Sequence, residues 1–308
     1  MTKQPYRVRN WKKYNRSLVQ RGSLTVWIDE KIHEQWYQEA NAEPKQGRPA
    51  CYSDVLIKAI LVLKAVYHLP YRATMGLAQS IFQLMGLNLP LPHYSTVCRR
   101  AQQLSVDLSK VRSNQPIDLA IDSTGLKIHG EGEWKVRQHG VSKRRTWRKL
   151  HLAVNTNNGQ IEAMALTTND LKDHQLIADL IGSIDQPIDK VCADGAYDAH
   201  ACYQYLQDQG IEALIPPRKD AVIKGDKPEN PRDEIVRRIQ QQGRKDWKKN
   251  SGYHQRSLSE TAMFRIKTLF GHQLSARKLA SQVTEARVRC QALNRMTALG
   301  MPESYRVA

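Results

Sequence analysis

At Gln115 the chain changes its periodicity, and that change limits the folds open to it. Before this point apolar residues recur at three- and four-residue spacing; after it Ile117, Leu119 and Ile121 alternate with Asp118, Ala120 and Asp122. A period of two marks a strand with one buried face, because successive side chains point to opposite faces of a sheet. Two further strand-like runs follow at residues 150–155 (LHLAVN) and 160–166 (QIEAMAL). They flank Asn157-Asn158-Gly159, whose Asn-Gly step favours a tight hairpin turn.

The pattern then reads as a helix over 174–181, a strand over 190–193, a helix over 199–209 and a strand over 211–215. Three antiparallel strands followed by alternating helix and strand predict an α/β fold. Its mixed sheet is ribonuclease-H-like, three antiparallel strands plus two further strands, flanked by helices. We expect this domain to occupy 113–308. Pro216-Pro217 ends its last strand, and residues 218–250 carry eleven Lys or Arg against six acids, which reads as an exposed basic insertion. A long helix is expected from Ser251 to about Phe270, and a helical tail from Ser275 to Leu299.

Residues 1–50 read as a basic arm and linker ending in PKQGRP. Over 51–112 the pattern is all-helical. Ser53 can cap a helix that Leu69-Pro70 stops, a second helix closes at Gly86, and Ser95 can cap a third carrying Arg99, Arg100 and Gln103. Three helices with basic side chains on the last are helix-turn-helix-like, so Arg99 and Arg100 are candidate DNA contacts. A packing helix with a solvated basic face is the alternative.

Lys and Arg number 47 against 30 acids, a formal charge of +17, which points to a polyanionic partner. The sequence has no apolar run of about 18 residues, no signal-like start and no lipidation motif, so nucleic acid is favoured over membrane. Five scattered cysteines without a Cys-x-x-Cys pair support neither a disulfide framework nor a zinc site, and a cytoplasmic setting is expected.

Phosphoryl transfer assisted by two metals needs several carboxylates converging on hard cations. Asp122 lies on the first strand before Ser123-Thr124-Gly125, and Asp194 follows Val191 to Ala193 and precedes Gly195. Each alone could be a turn former. Asp118 and Asp198 are rivals, although Asp198 reads more simply as the N-cap of the next helix. Tyr253, Arg256, Glu260 and Lys267 would fall within roughly 60° of arc on one helix. Such a face offers a carboxylate for metal, two cations for phosphates and a ring for stacking; the alternative is a surface Arg256–Glu260 pair. Between Trp134 and Lys149 stand seven Lys or Arg, two tryptophans and no acid. Trp134, Arg144, Arg145, Trp147, Arg148 and Lys149 are therefore candidate DNA contacts, or else a solvated hairpin.

Taken together, the spacing Tyr253-x2-Arg256-x3-Glu260-x6-Lys267, the run IDSTGLK around Asp122, the run ADGAYD around Asp194, and the segments GRPACYSD and HYSTVCRR resemble the DDE transposases of bacterial insertion sequences, of the insertion-sequence family five type. The resemblance covers about residues 47–300. It implies that Asp122, Asp194 and Glu260 bind two Mg²⁺ ions, with Mn²⁺ able to substitute, and that the protein cuts and joins DNA at terminal inverted repeats and target sites. It further implies that Arg256 and Lys267 hold phosphates, that Tyr253 positions the strand end, that the helical domain reads the repeat, and that the protein works as a homodimer or higher assembly on DNA. A host nuclease or resolvase of the same fold, and a domesticated DNA-binding protein without catalysis, are the rival readings.

Overall fold

The computed structural model describes residues 6–37, 51–108, 110, 115–128, 147–223 and 231–307. These divide into two compact units, 1–109 with 278–308, and 110–277. In chain order the first unit supplies β1 (Tyr6–Val8), α1 (Trp11–Gln20), α2 (Leu24–Trp27), α3 (Asp54–Val66), α4 (Tyr71–Leu84) and α5 (Tyr94–Arg100). The second supplies β2 (Ile117–Lys127), β3 (Trp147–Asn155), β4 (Ile161–Thr168), α6 (Ile177–Gly182), β5 (Ile188–Ala193), α7 (His200–Asp208) and β6 (Glu212–Leu214). It continues through α8 (Pro231–Gln242), α9 (Arg244–Asn250) and α10 (Ser257–Phe270), after which α11 (Leu279–Leu299) and β7 (Ser304–Arg306) belong to the first unit.

In the first unit the Ser53 hydroxyl accepts from the Leu56 N–H at 3.2 Å and starts α3, whose Leu56, Ile57, Ile60 and Leu63 are buried. α3, α4 and α5 pack on one another, and α11 packs along α3. The cap of α5 is His93 rather than Ser95. Residues 6–37, expected within a loose arm, are folded: Trp27, Ile28, Ile32 and Trp36 are buried, and Trp36 meets Phe82 edge-on at 4.8 Å. Their helices span only one to three turns, too short for periodicity to register. The closing helix α11, expected to follow the sheet as part of its domain, groups instead with these helices.

The second unit is built on a five-stranded sheet of order β4-β3-β2-β5-β6. β4, β3 and β2 are antiparallel neighbours, and β5 and β6 run parallel to β2, which is the ribonuclease-H-like arrangement. Gly159, at φ 72°, closes the β3–β4 turn where the Asn-Gly step requires a left-handed residue. Ile117, Leu119 and Ile121 bury one sheet face in a core shared with α6 and α7. The expected exposed insertion is a correction, for α8 and α9 dock Ile235 and Trp247 into that same core. The buried residues of these helices are few, Asp233, Ile235 and Val236 on α8 and Trp247 on α9, so charge counting missed the docked face. Among the described residues no helix is long and apolar enough to cross a membrane.

Candidate active site

β2 and β5 pair in parallel as far as Ile121 with Ala193. The next residue on each chain is Asp122 and Asp194, so neighbouring strands deliver two carboxylates to one end of the sheet. The Asp194 carboxylate accepts from the Ala196 N–H at 2.8 Å and caps the 3₁₀ turn Gly195–Tyr197. Asp122 Oδ1 accepts from the Ser123 N–H at 2.8 Å, and Oδ2 from Arg256 Nη1 at 2.9 Å.

The other nitrogen of Arg256, Nη2, donates to Glu260 in the first turn of α10. One guanidinium therefore bridges the acid on the sheet and the acid on the helix. The single helical face expected from Ser251 onward is not what brings these groups together. Gly252 adopts φ 75°, Tyr253–Arg256 forms a 3₁₀ turn, and α10 begins only at Ser257. Tertiary packing restores the convergence: Lys267 Nζ donates to Thr124 Oγ1, two residues along β2 from Asp122 and on the same strand face.

Burial pushes the Asp122 carboxyl above its ordinary value; the Ser123 N–H and Arg256 oppose this, while Asp194 and Glu260 add to it. The three acids thus act within one electrostatic field. Burial also pushes the Tyr253 hydroxyl up to about 12, with Arg256 opposing and Asp194 adding. The Tyr253 ring lies tilted 6.0 Å from Trp247, with Lys248 Nζ 5.0 Å from its centroid.

The donor set at this end of the sheet is all carboxylate oxygen, the chemistry of hard divalent cations. Among the described residues no three such side chains already stand as a metal-holding group, and the Arg256 guanidinium lies between two of them. A position that holds one cation between two carboxylates fits a cation site electrostatically.

Two family models, each described as a transposase DDE domain, match the chain, one over residues 19–131 and the other over 113–295. The second spans more than half of the chain and includes Asp122, Asp194 and Glu260. The chain belongs to the DDE transposase family. The family makes it a polynucleotidyl-transferase type of enzyme with DNA as its substrate, and the family typically uses divalent metal ions.

In this transposase the rival acid Asp118 lies four residues back along β2 from Asp122, its backbone in register with Lys190. Asp198 is not the cap of α7, which is Ala199; its carboxylate is held by Arg232 at 2.7 and 3.1 Å, the Arg218 N–H at 2.9 Å and the Tyr203 hydroxyl at 3.2 Å. Burial alone would raise the Asp198 carboxyl, and these partners overcome it and leave it lowered.

Of the other candidate DNA contacts of the transposase, Arg99 is exposed on α5, whereas Arg100 is turned to Asp54 and to the Tyr52 carbonyl at 3.1 Å. Trp147 is half exposed and Arg148 partly exposed at the start of β3. Lys149 donates to Asp173 Oδ1 and to the Leu171 carbonyl, both at 2.9 Å. Trp134, Arg144 and Arg145 lie outside the described residues. Asp173 was not singled out in the sequence, since an acid in an Asn-Asp-Leu-Lys-Asp turn has no period to mark it.

Proposed function

We propose that this transposase binds the terminal inverted repeats of an insertion sequence, cleaves a strand at the element end and transfers it to target DNA. Asp122, Asp194 and Glu260 would hold two Mg²⁺ ions, with Mn²⁺ able to substitute. The observation that carries the reading is the meeting of Asp122 on β2 and Glu260 on α10 at a single cation, Arg256, with Asp194 at the adjoining strand end.

Bound divalent ions supply activation of the attacking hydroxyl and stabilisation of the leaving oxygen. In the first step a water oxygen attacks phosphorus at the element end, the P–O3′ bond breaks, and the element strand keeps a 3′-hydroxyl. In the second, that 3′-oxygen bonds to a target phosphorus while the target's own P–O3′ bond breaks, leaving a free 3′-hydroxyl on the target. Arg256 and Lys267, both beside Asp122, hold the nonbridging phosphate oxygens as charge spreads over them, and Tyr253 positions the strand end. Arg148 and Trp147 add contacts to the duplex, joined by Trp134, Arg144 and Arg145, and in the helical unit Arg99 contacts the repeat. Bringing two element ends together calls for at least a homodimer on DNA.

The test is a strand-transfer assay with Mg²⁺ and a labelled duplex ending in the inverted repeat that flanks the gene. Asp122→Asn, Asp194→Asn and Glu260→Gln should each abolish cleavage and joining while leaving repeat binding intact. Cleavage without joining by the unmodified protein would mark a nuclease, and tight binding without either would mark a DNA-binding factor.

A further inference from the structure

Behind Asp122, on the opposite face of the sheet, lies a second polar cluster. Strand alternation turns Ser123 of β2, with His151 and Lys149 of β3, to that face. Asp173, which opens the 3₁₀ turn Asp173–Leu176 after β4, reaches across to it. Its Oδ2 accepts from Ser123 Oγ at 2.9 Å and its Oδ1 from Lys149 Nζ at 2.9 Å. A carboxylate with 17% exposure makes both of these charge-assisted bonds from a largely enclosed position.

The backbone explains why an anchor matters here. β5 leaves β2 after Ile121, and β2 is next bonded on that side at Lys127, whose N–H and carbonyl meet His272 and Leu274. Between these points, among the described residues, β2 is laddered on one side only, by β3, and Asp122 lies in that stretch. Asp173 ties the Ser123 side chain to Lys149 of β3, and the Ser123 N–H in turn holds Asp122 Oδ1 at 2.8 Å.

We propose that Asp173 is a positioning residue for this transposase, acting through Ser123 to set the direction in which the Asp122 carboxylate faces its ion. This rests on the reading of Asp122 as a metal ligand. Partners that orient a ligating carboxylate typically change metal affinity or activity by about 10–100-fold when removed. A turn acid that only pins the loop after β4 would change melting and leave ion affinity alone.

The experiment titrates Mn²⁺ by electron paramagnetic resonance into the full chain bound to an inverted-repeat duplex, for the wild type and for Asp122→Asn, Asp173→Asn, Ser123→Ala and Ser123→Thr. Melting curves and metal-free DNA affinity are measured alongside. Asp173→Asn and Ser123→Ala should each weaken Mn²⁺ binding about 10–100-fold with DNA affinity unchanged. A variant carrying both Asp173→Asn and Ser123→Ala should be no weaker than either single one, since both lie in one chain of bonds, and Ser123→Thr, which keeps the hydroxyl, should retain wild-type affinity. Unchanged Mn²⁺ affinity in both single variants overturns the proposal, as does a loss confined to Asp173→Asn, which would show that Asp173 does not act through Ser123. If wild type and Asp122→Asn bind Mn²⁺ alike, the reading of Asp122 as a ligand fails instead.

Discussion

Replacing Arg256 by Gln should make the metal-free protein bind divalent ions more tightly, although the same change should cripple catalysis. The guanidinium holds Asp122 at 2.9 Å and also pairs with Glu260, so an arriving cation must displace it. At about 3 Å and an effective dielectric near 20, the gross attraction of each pair is roughly 5 kcal/mol. Most of this is offset by desolvation and screening, to different extents. Glu260 is 55% exposed, so its half falls in the range of about 0–1 kcal/mol typical of surface pairs. Arg256 and Asp122 are 21% and 15% exposed, between that range and the about 3–5 kcal/mol lost on breaking a buried pair, which puts their half near 2 kcal/mol. Removing a competitor of about 2 kcal/mol should raise ion affinity about thirtyfold.

The assay is a Mn²⁺ titration of wild type and Arg256→Gln without DNA, followed by electron paramagnetic resonance. The variant should also melt earlier when metal-free, because Asp122 then faces Asp194 and Glu260 without its counter-ion. Unchanged affinity together with unchanged melting would show that the bridge does not form in solution. Weaker binding would show that Arg256 builds the ion site rather than competing for it.

Trp247 carries α9 into the sheet core, so Trp247→Ala should cost about 3–5 kcal/mol in a urea titration, and a loss under about 1 kcal/mol would mean that α9 is not docked. The Asp198 carboxyl is lowered in the folded chain, so its contribution to stability is whole above the ordinary value of 3.8 and drains away as pH falls through the lowered one. Arg232→Gln removes the main opponent of burial at Asp198. That variant should lose about 3–5 kcal/mol at neutral pH and regain part of it as Asp198 protonates in acid; a melting profile parallel to wild type down to pH 3 would contradict this.

Much of the sheet was legible in the residues because its signal is local. The alternation of Ile117, Leu119 and Ile121, the Asn-Gly turn and the following helix–strand alternation each depend on a few neighbouring side chains, and all five strands lie where those patterns put them. Asp122, Asp194 and Glu260 could be picked out in the sequence because their flanking runs resemble a known family, not because spacing places them together.

What the chain by itself determined was therefore the strands of the sheet with the helices between them, the basic charge, and the flanking runs by which Asp122, Asp194 and Glu260 resemble the acids of a known family. The tertiary structure decided the rest, since each remaining feature joins residues far apart in sequence. Arg256 meets Asp122 across 134 positions, and Lys267 meets Thr124 across 143. The helix expected to carry four functional groups on one face breaks at Gly252, because a left-handed residue there starts a 3₁₀ turn, and only packing against β2 returns Arg256 and Lys267 to the acids. Residues 231–250 look like solvated insertion by charge, yet burial is set by the few apolar side chains that find a core. Asp173 has no sequence mark at all, for a hydrogen bond to a strand on the far side of a hairpin is a property of the register, and register exists only once the sheet has formed.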